Sequence, residues 1–199
     1  MYEHINSWKD CTESFEKQLQ YNLFELNGNY PQHWNSFLFC IDKNKPKRVV
    51  DIGCGVGVYG KLCLDKGTEY IGYDYSENAI GIAKREWKLD VYCSDYKNIS
   101  SNDIQDGDLV VANALCDVLP NSHDCLLHLL NLGAERILIQ RIEYSSGEEY
   151  FSEYEAYSLT TYKFFHDKQK TYDAIASSGY KVKERLISSG MYDLEIYKG

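Results

Sequence analysis

The sequence predicts an α/β protein built on a mostly parallel sheet, and three observations carry that prediction. Short apolar runs alternate with helix-periodic segments from residue 48 to residue 142, the pattern of βαβ crossovers. The first run passes into Val49-Val50-Asp51-Ile52-Gly53-Cys54-Gly55-Val56-Gly57, a buried strand that stops at a turn with glycine at every second position. The end of the chain alternates polar and apolar residues over 180–187 and 191–198 around Ser188-Ser189-Gly190, which reads as an antiparallel hairpin.

The elements follow in order. Residues 6–24 read as a helix, with Trp8, Cys11, Phe15 and Leu19 on one stripe. Asn27-Gly28-Asn29-Tyr30-Pro31 breaks it, and Trp34 to Ile41 forms a second short helix before Pro46. Residues 48–52 are the first strand. Residues 58–66 are the helix after it, with Val58, Leu62 and Cys63 inward and Gly67 as its stop. Residues 69–73 form the second strand, ending at Asp74. Ser76 caps a helix with Ala79, Ile80, Ala83 and Trp87 on one side. A short third strand spans 90–93, a fully apolar fourth 108–112, a helix 121–132 and a fifth strand 136–142. The pattern loosens over 143–166, before a helix at 167–178 stopped by Gly179 and the closing hairpin.

Composition narrows the function. With 199 residues the chain can bury a sizeable core. Acids outnumber Lys and Arg 30 to 21, a formal charge of −9, which disfavours a polyanionic partner such as DNA or RNA. The cluster Lys43, Lys45, Lys47 and Arg48 reads as a solvated loop. Seven cysteines, an odd count without a CxxC pair, read as reduced core thiols of a cytoplasmic protein. Residues 1–10 are polar and lack a signal-peptide core, and no apolar run has the length of a membrane span. No Cys/His/carboxylate cluster has metal-ligand spacing, so no metal is expected.

Acids stand at three successive strand ends, Asp51, Asp74 and Asp95. A pyrophosphate in the glycine turn would meet repulsion from Asp51, whereas a cationic amino group would not. Asp74 can accept from both hydroxyls of a ribose, because one carboxylate offers two oxygens to a vicinal diol. Asp95 can accept from an exocyclic amine. Another reading stands beside this one. Gly55-x-Gly57-x-x-Gly60 is also the dinucleotide fingerprint, and Asp74 lies 19 residues beyond Gly55, near the position of a ribose acid.

Asp-x-Gly-x-Gly-x-Gly after a hydrophobic strand, with the later acids and the closing hairpin, resembles the class I S-adenosylmethionine-dependent methyltransferases. The resemblance covers roughly residues 49–198. It implies a Rossmann-like, mostly parallel seven-stranded sheet with a C-terminal antiparallel hairpin. Residues 1–46 would be an N-terminal helical cap or lid, and 47–199 the S-adenosylmethionine-binding domain. It implies a cofactor set of Asp51, Gly53, Cys54, Gly55 and Gly57 in the turn, Asp74 and Tyr75 for the ribose, and Asp95 and Tyr96 for the adenine. Asn113, Ala114 and Leu115 would lie beneath the sulfonium. One departure stands out: Leu115-Cys116-Asp117-Val118-Leu119-Pro120 has Asp117 where many small-molecule members carry an aromatic residue or His.

The acceptor side is less determined. Asp117, His123, Glu143 and His166 are candidates for a general base, which is needed only if the acceptor must lose a proton. Asp117, Glu143 and His166 are retained as catalytic candidates; His123, at a helix start beside Ser122, reads as a cap or surface residue. Nine aromatics between 144 and 172 would lie over the mouth of the site, most of them packing and some available to a sugar or planar ring. Gln140-Arg141-Ile142-Glu143-Tyr144 with the tyrosine-rich segment resembles methyltransferases associated with bacterial surface-polysaccharide genes. The expectation is a methyltransferase acting on a small-molecule oxygen or nitrogen, such as a sugar or sugar-nucleotide hydroxyl. A non-catalytic S-adenosylmethionine-binding module and a nicotinamide-dependent oxidoreductase are the alternatives. Oligomeric state is not legible.

Overall fold

The structure is a computed structural model that describes Trp8 and residues 11–199. The predicted helix start at residue 6 therefore falls outside the described residues. The described part of that helix, α1, is Thr12–Leu26, and α2 is Gln32–Asn44. Five strands then alternate with three helices: β1 Arg48–Ile52, α3 Val58–Lys66, β2 Glu69–Asp74, α4 Glu77–Trp87, β3 Val91–Cys93, β4 Asp108–Asn113, α5 Ser122–Asn131 and β5 Arg136–Tyr144. The chain continues as β6 Tyr150–Ala156, β7 Leu159–His166, α6 Lys168–Ser177, β8 Tyr180–Ser188 and β9 Met191–Lys198.

The first five strands are parallel in the order β3-β2-β1-β4-β5, with β9 antiparallel to β5 and β8 antiparallel to β9. These are the seven strands expected. Two more, β6 and β7, occupy the stretch where the sequence pattern loosens, and they form an antiparallel hairpin. β5 runs past the end of β4: Asn113 pairs with Gln140, while Glu143 pairs with Phe165 of β7 and also with Met191 of β9. Since β9 holds one side of β5, β7 takes the other, the side β4 has just left. The hairpin thus hangs over the carboxyl end of β4, where the Phe164 N–H donates to the Asp117 carbonyl at 2.7 Å.

Alternation along the strands sorts the core into two layers. Val50, Ile52, Val110, Ala112, Ile137 and Ile139 pack on α5 and on Ile175 of α6. Val49, Leu109, Val111 and Leu138 face the other way, onto Trp34, Phe37, Cys40 and Ile41 of α2 and Tyr59, Leu62 and Cys63 of α3. Both faces are covered, so the strands read as continuous apolar runs. By the same parity Asp51, Asn113 and Gln140 lie on the α2/α3 face, just beyond the last apolar rung. Asp167 accepts from the Lys170 N–H and starts α6, and Ser76 accepts from the Ala79 N–H and starts α4.

Candidate active site

The turn after β1 is held open by backbone rather than side chains. Gly53, Gly55 and Gly57 all have positive φ, at 79°, 52° and 81°. The N–H groups of Gly53 and Cys54 donate to the Tyr73 carbonyl of β2, at 2.8 and 3.0 Å. The glycines serve different ends. A Cβ on Gly57 would sit 2.7 Å from Leu89 and 2.9 Å from Ala83, so that position is bare to let α3 and α4 approach. A Cβ on Gly55 would meet only the Gln18 side chain, 3.2 Å away, and one on Gly53 would meet Leu115. Gly53 and Gly55 therefore face the end of β4 and α1, with Leu115 and the Gln18 side chain as their neighbours.

Asp51 is buried and accepts from the Tyr70 hydroxyl on Oδ2 at 2.9 Å, while its Oδ1 has no hydrogen-bond partner. Burial, opposed by the Tyr70 bond and reinforced by the charge of Asp74, pushes its pKa up to about 7. Asp74 is also buried. Its carboxylate accepts from the backbone N–H groups of Gly55 and Ser76, both at 2.9 Å, and so ties the glycine turn to the start of α4. Burial raises its pKa and those two donors oppose the rise. Each oxygen keeps a second lone pair for a ribose hydroxyl. Cys54 is buried, and Tyr75 is half-buried after Asp74. At the end of β3, Asp95 is exposed and accepts from the Lys97 N–H, while Tyr96 accepts from Asn121 Nδ2 at 3.3 Å.

At the end of β4 the buried Oδ1 of Asn113 has no partner, Ala114 takes a left-handed φ of 53°, and Leu115 rests on Gly53. The unpartnered groups around the turn are thus acceptors: carbonyl and carboxylate oxygens. These unpartnered side-chain oxygens fit a ligand bearing a cationic amino group.

The acceptor candidates separate. Asp117 is 2% exposed, with Oδ1 unpartnered and Oδ2 3.8 Å from Arg141 Nε. Burial raises its pKa, and the field of Arg141 opposes that. Glu143 is engaged by Lys163 Nζ at 2.5 Å on the hairpin. His166 is fully buried. Its Nε2 lies 3.1 Å from Ser122 Oγ and 3.2 Å from the Cys116 carbonyl, and burial holds its pKa down to about 4. It stands at the end of β7, at the root of the hairpin, with its ring edge-on to Phe164 at 4.9 Å. His123 faces Glu149 across 3.7 Å.

Two groups escaped the sequence reading. Arg141 has a left-handed φ of 69° at a bulge, where the β5–β9 register shifts between Ile139 and Ile142. A buried network fixes that bulge: Gln140 donates to Asp193 Oδ2 at 2.6 Å and to the His33 carbonyl at 2.9 Å, and accepts from the Tyr59 hydroxyl at 2.5 Å. The only trace in the sequence is a polar pair inside an apolar strand. The second group is Gln18, whose position on the polar side of α1 carried no signal. Among the described residues no His/Cys/Asp/Glu group could hold a metal ion, and no helix is long and apolar enough to cross a membrane.

Comparison with known proteins identifies the family and the fold. Residues 25–179 match the model of a methyltransferase domain family. A ubiquinone biosynthesis O-methyltransferase of Aromatoleum aromaticum is 26% identical over 127 residues, 60% of this chain and 49% of the relative. An 18S rRNA (guanine-N(7))-methyltransferase of Bos taurus is 39% identical over 59 residues, 29% of this chain and 21% of the relative. The chain thus spans half or less of the length of these curated relatives. Among solved structures, the magnesium protoporphyrin IX methyltransferase of Synechocystis PCC 6803 with bound SAH (S-adenosylhomocysteine) aligns at a TM-score of 0.65 and 17% identity, over 84% of this chain and 83% of that one. An S-adenosylmethionine-dependent methyltransferase of Mesorhizobium loti aligns at 0.62 and 12%, over 85% and 99%. At such identities the likeness is one of fold.

Proposed function

The chain belongs to the methyltransferase domain family, and we propose from this premise that it transfers a methyl group from S-adenosylmethionine to a small-molecule acceptor. The observation that carries the reading is the glycine cradle flanked by the unpartnered oxygens of Asp51 and Asn113, an acceptor-rich floor suited to a cationic amino-acid moiety. Asp51 faces that amino group, Asp74 and Tyr75 the ribose, Asp95 and Tyr96 the adenine, and Gly53 to Gly57 with Asn113 to Leu115 line the rest of the cofactor.

S-adenosylmethionine supplies an activated methyl on a sulfonium, so the protein's work is to position, to exclude water and, for a hydroxyl acceptor, to take a proton. Asp117, just past β4 with one unpartnered oxygen, is the proton acceptor: burial raises its pKa and so its basicity, and the charge of Arg141 opposes that rise. Glu143, paired with Lys163, shapes the hairpin wall. The packed position of His166 suits support of the hairpin. Residues 1–46 act as a helical cap on the 47–199 domain, with α2 a buttress and α1 the lid. The O-methyltransferase relative favours an oxygen acceptor, and the tyrosines of the hairpin suit a sugar or sugar-nucleotide hydroxyl. The acidic balance disfavours nucleic acid, and the free thiols suit the cytoplasm.

Calorimetric titration with S-adenosylmethionine, S-adenosylhomocysteine and NADH tests the reading. Micromolar binding of the sulfur ligands and none of NADH is expected, with S-adenosylhomocysteine released when sugar-nucleotide or phenolic acceptors are added. Binding of NADH alone would overturn it. Binding of the sulfur ligands without turnover on any acceptor would favour the non-catalytic module.

A further inference from the structure

The N-terminal helix packs on the glycine turn, with Phe15 and Leu19 against Val56 and Gln18 against Gly55. Gln18 Oε1 is buried and without a partner, and it lies 3.2 Å from the point where a Cβ on Gly55 would stand. Of the Gln18 amide, Oε1 is the atom nearest that point and Nε2 stands farther off at 3.7 Å, so the carbonyl oxygen is turned to the glycine turn. A buried amide oxygen without a donor costs free energy, so its retention implies a donor that arrives with a ligand.

The β6–β7 hairpin touches α1 and Trp8, which precedes it, at several points. Trp8 Nε1 donates to Thr161 Oγ1 at 2.9 Å, and Lys17 Nζ donates to Ser158 Oγ at 2.9 Å. The Tyr157 ring lies 5.6 Å from Tyr21 and 6.1 Å from Trp8. Tyr157 and Ser158 form the two-residue tip of the β6–β7 hairpin, both at positive φ without being glycine. The tip is therefore committed to a strained turn that presents a tyrosine to α1.

We propose that Gln18 is a ligand of the cofactor's amino group, sharing its three N–H donors with Asp51 and Asn113, and that α1 thereby closes over the amino-acid end of the cofactor. Two of these oxygens stand on one face of neighbouring strands, and the third comes from the helix that roofs them. An ammonium needs acceptors on several sides, and a strand-borne floor supplies only one side. The inference rests on the S-adenosylmethionine reading and deepens it: the lid supplies a recognition group.

The test compares two ligands that differ at the amino-acid end. S-adenosylhomocysteine carries the amino group, and 5′-methylthioadenosine lacks the amino-acid moiety. Both are titrated calorimetrically into the intact protein and into Gln18→Ala, with thermal melts to verify that the variant is folded. The expected result is that the variant loses about tenfold in affinity for S-adenosylhomocysteine and nothing for 5′-methylthioadenosine. Unchanged affinity for S-adenosylhomocysteine would overturn the proposal, and so would an equal loss for both ligands, which would mean that α1 merely supports the nucleoside end. If the parent protein binds neither ligand, the cofactor reading itself falls and this inference with it.

Discussion

Asp51 is buried beneath the glycine turn with one oxygen on the Tyr70 hydroxyl and the other unpartnered, a burial that costs the fold stability and that the proposed ammonium ligand would offset. Its pKa in the folded protein is about 7, against the ordinary value of 3.8. Below both values the two states are protonated alike. As pH rises from about 4 to about 7 the unfolded chain ionises while the folded one keeps its proton, so stability falls through that window and the loss is complete above it. Asp51→Asn should raise the melting temperature of the ligand-free protein by several degrees at pH 8 and have little effect at pH 4. The same variant should lose at least about tenfold in S-adenosylhomocysteine affinity, because an ammonium then faces a neutral amide. In the parent protein, affinity should rise with pH up to about 7 as Asp51 ionises, with proton release on binding below that. Calorimetry in buffers of different ionisation enthalpy reads the proton count. A pH-independent affinity between 6 and 8 would remove Asp51 from the cofactor site.

At the scale of the element, the turn between β1 and α3 divides its glycines between ligand and packing. Gly57→Ala places a Cβ against Ala83 and Leu89 at a φ of 81° and should destabilise the fold by about 2–4 kcal/mol in urea denaturation. Gly55→Ala, which meets only Gln18, should cost about 1 kcal/mol of stability and lose most of the cofactor affinity. Equal effects of the two on folding would contradict that division. This turn and the five parallel strands were legible because each has a local signature: strand ends marked by acids, helices with a stripe, and glycines at fixed spacing. The β6–β7 hairpin was not. Its tip is Tyr157-Ser158, with no Gly or Asn to announce a left-handed turn, and its conformation is held by α1 instead. The bulge at Arg141 was hidden for a similar reason, since Asp193, more than fifty residues away in sequence, fixes it. The acids expected at strand ends lie there: Asp51 near the end of β1, Asp74 at the end of β2 and Asp95 just after β3. The acceptor side depends on contacts between distant segments, and His166 shows the result: a catalytic candidate by its neighbours in sequence, a packed histidine by its neighbours in space.

Over the whole molecule, charge separates the acceptor classes that the relatives span, since one relative is named for ubiquinone biosynthesis and another for 18S rRNA. A protein that holds RNA needs unneutralised cations along a groove, because release of counterions supplies most of the non-specific affinity. Here the formal charge is −9, and many of the cations are already spent locally. Lys43 pairs with Glu195, Lys66 with Asp42, Arg85 with Glu16, Lys163 with Glu143, Lys168 with Glu184 and Lys170 with Glu149. The last three of these lysines lie on the β6–β7 hairpin and on α6, so a phosphate backbone approaching there would meet ion pairs and surplus carboxylates. Fluorescence anisotropy with a labelled single-stranded RNA should therefore show no association at protein concentrations up to roughly 10⁻⁴ M, at low salt as at physiological salt. Addition of that RNA should leave the S-adenosylhomocysteine titration unchanged. Binding that weakens steeply with salt would reveal a basic track that these pairings do not leave open, and would move the acceptor from a small hydroxyl compound to a nucleic acid.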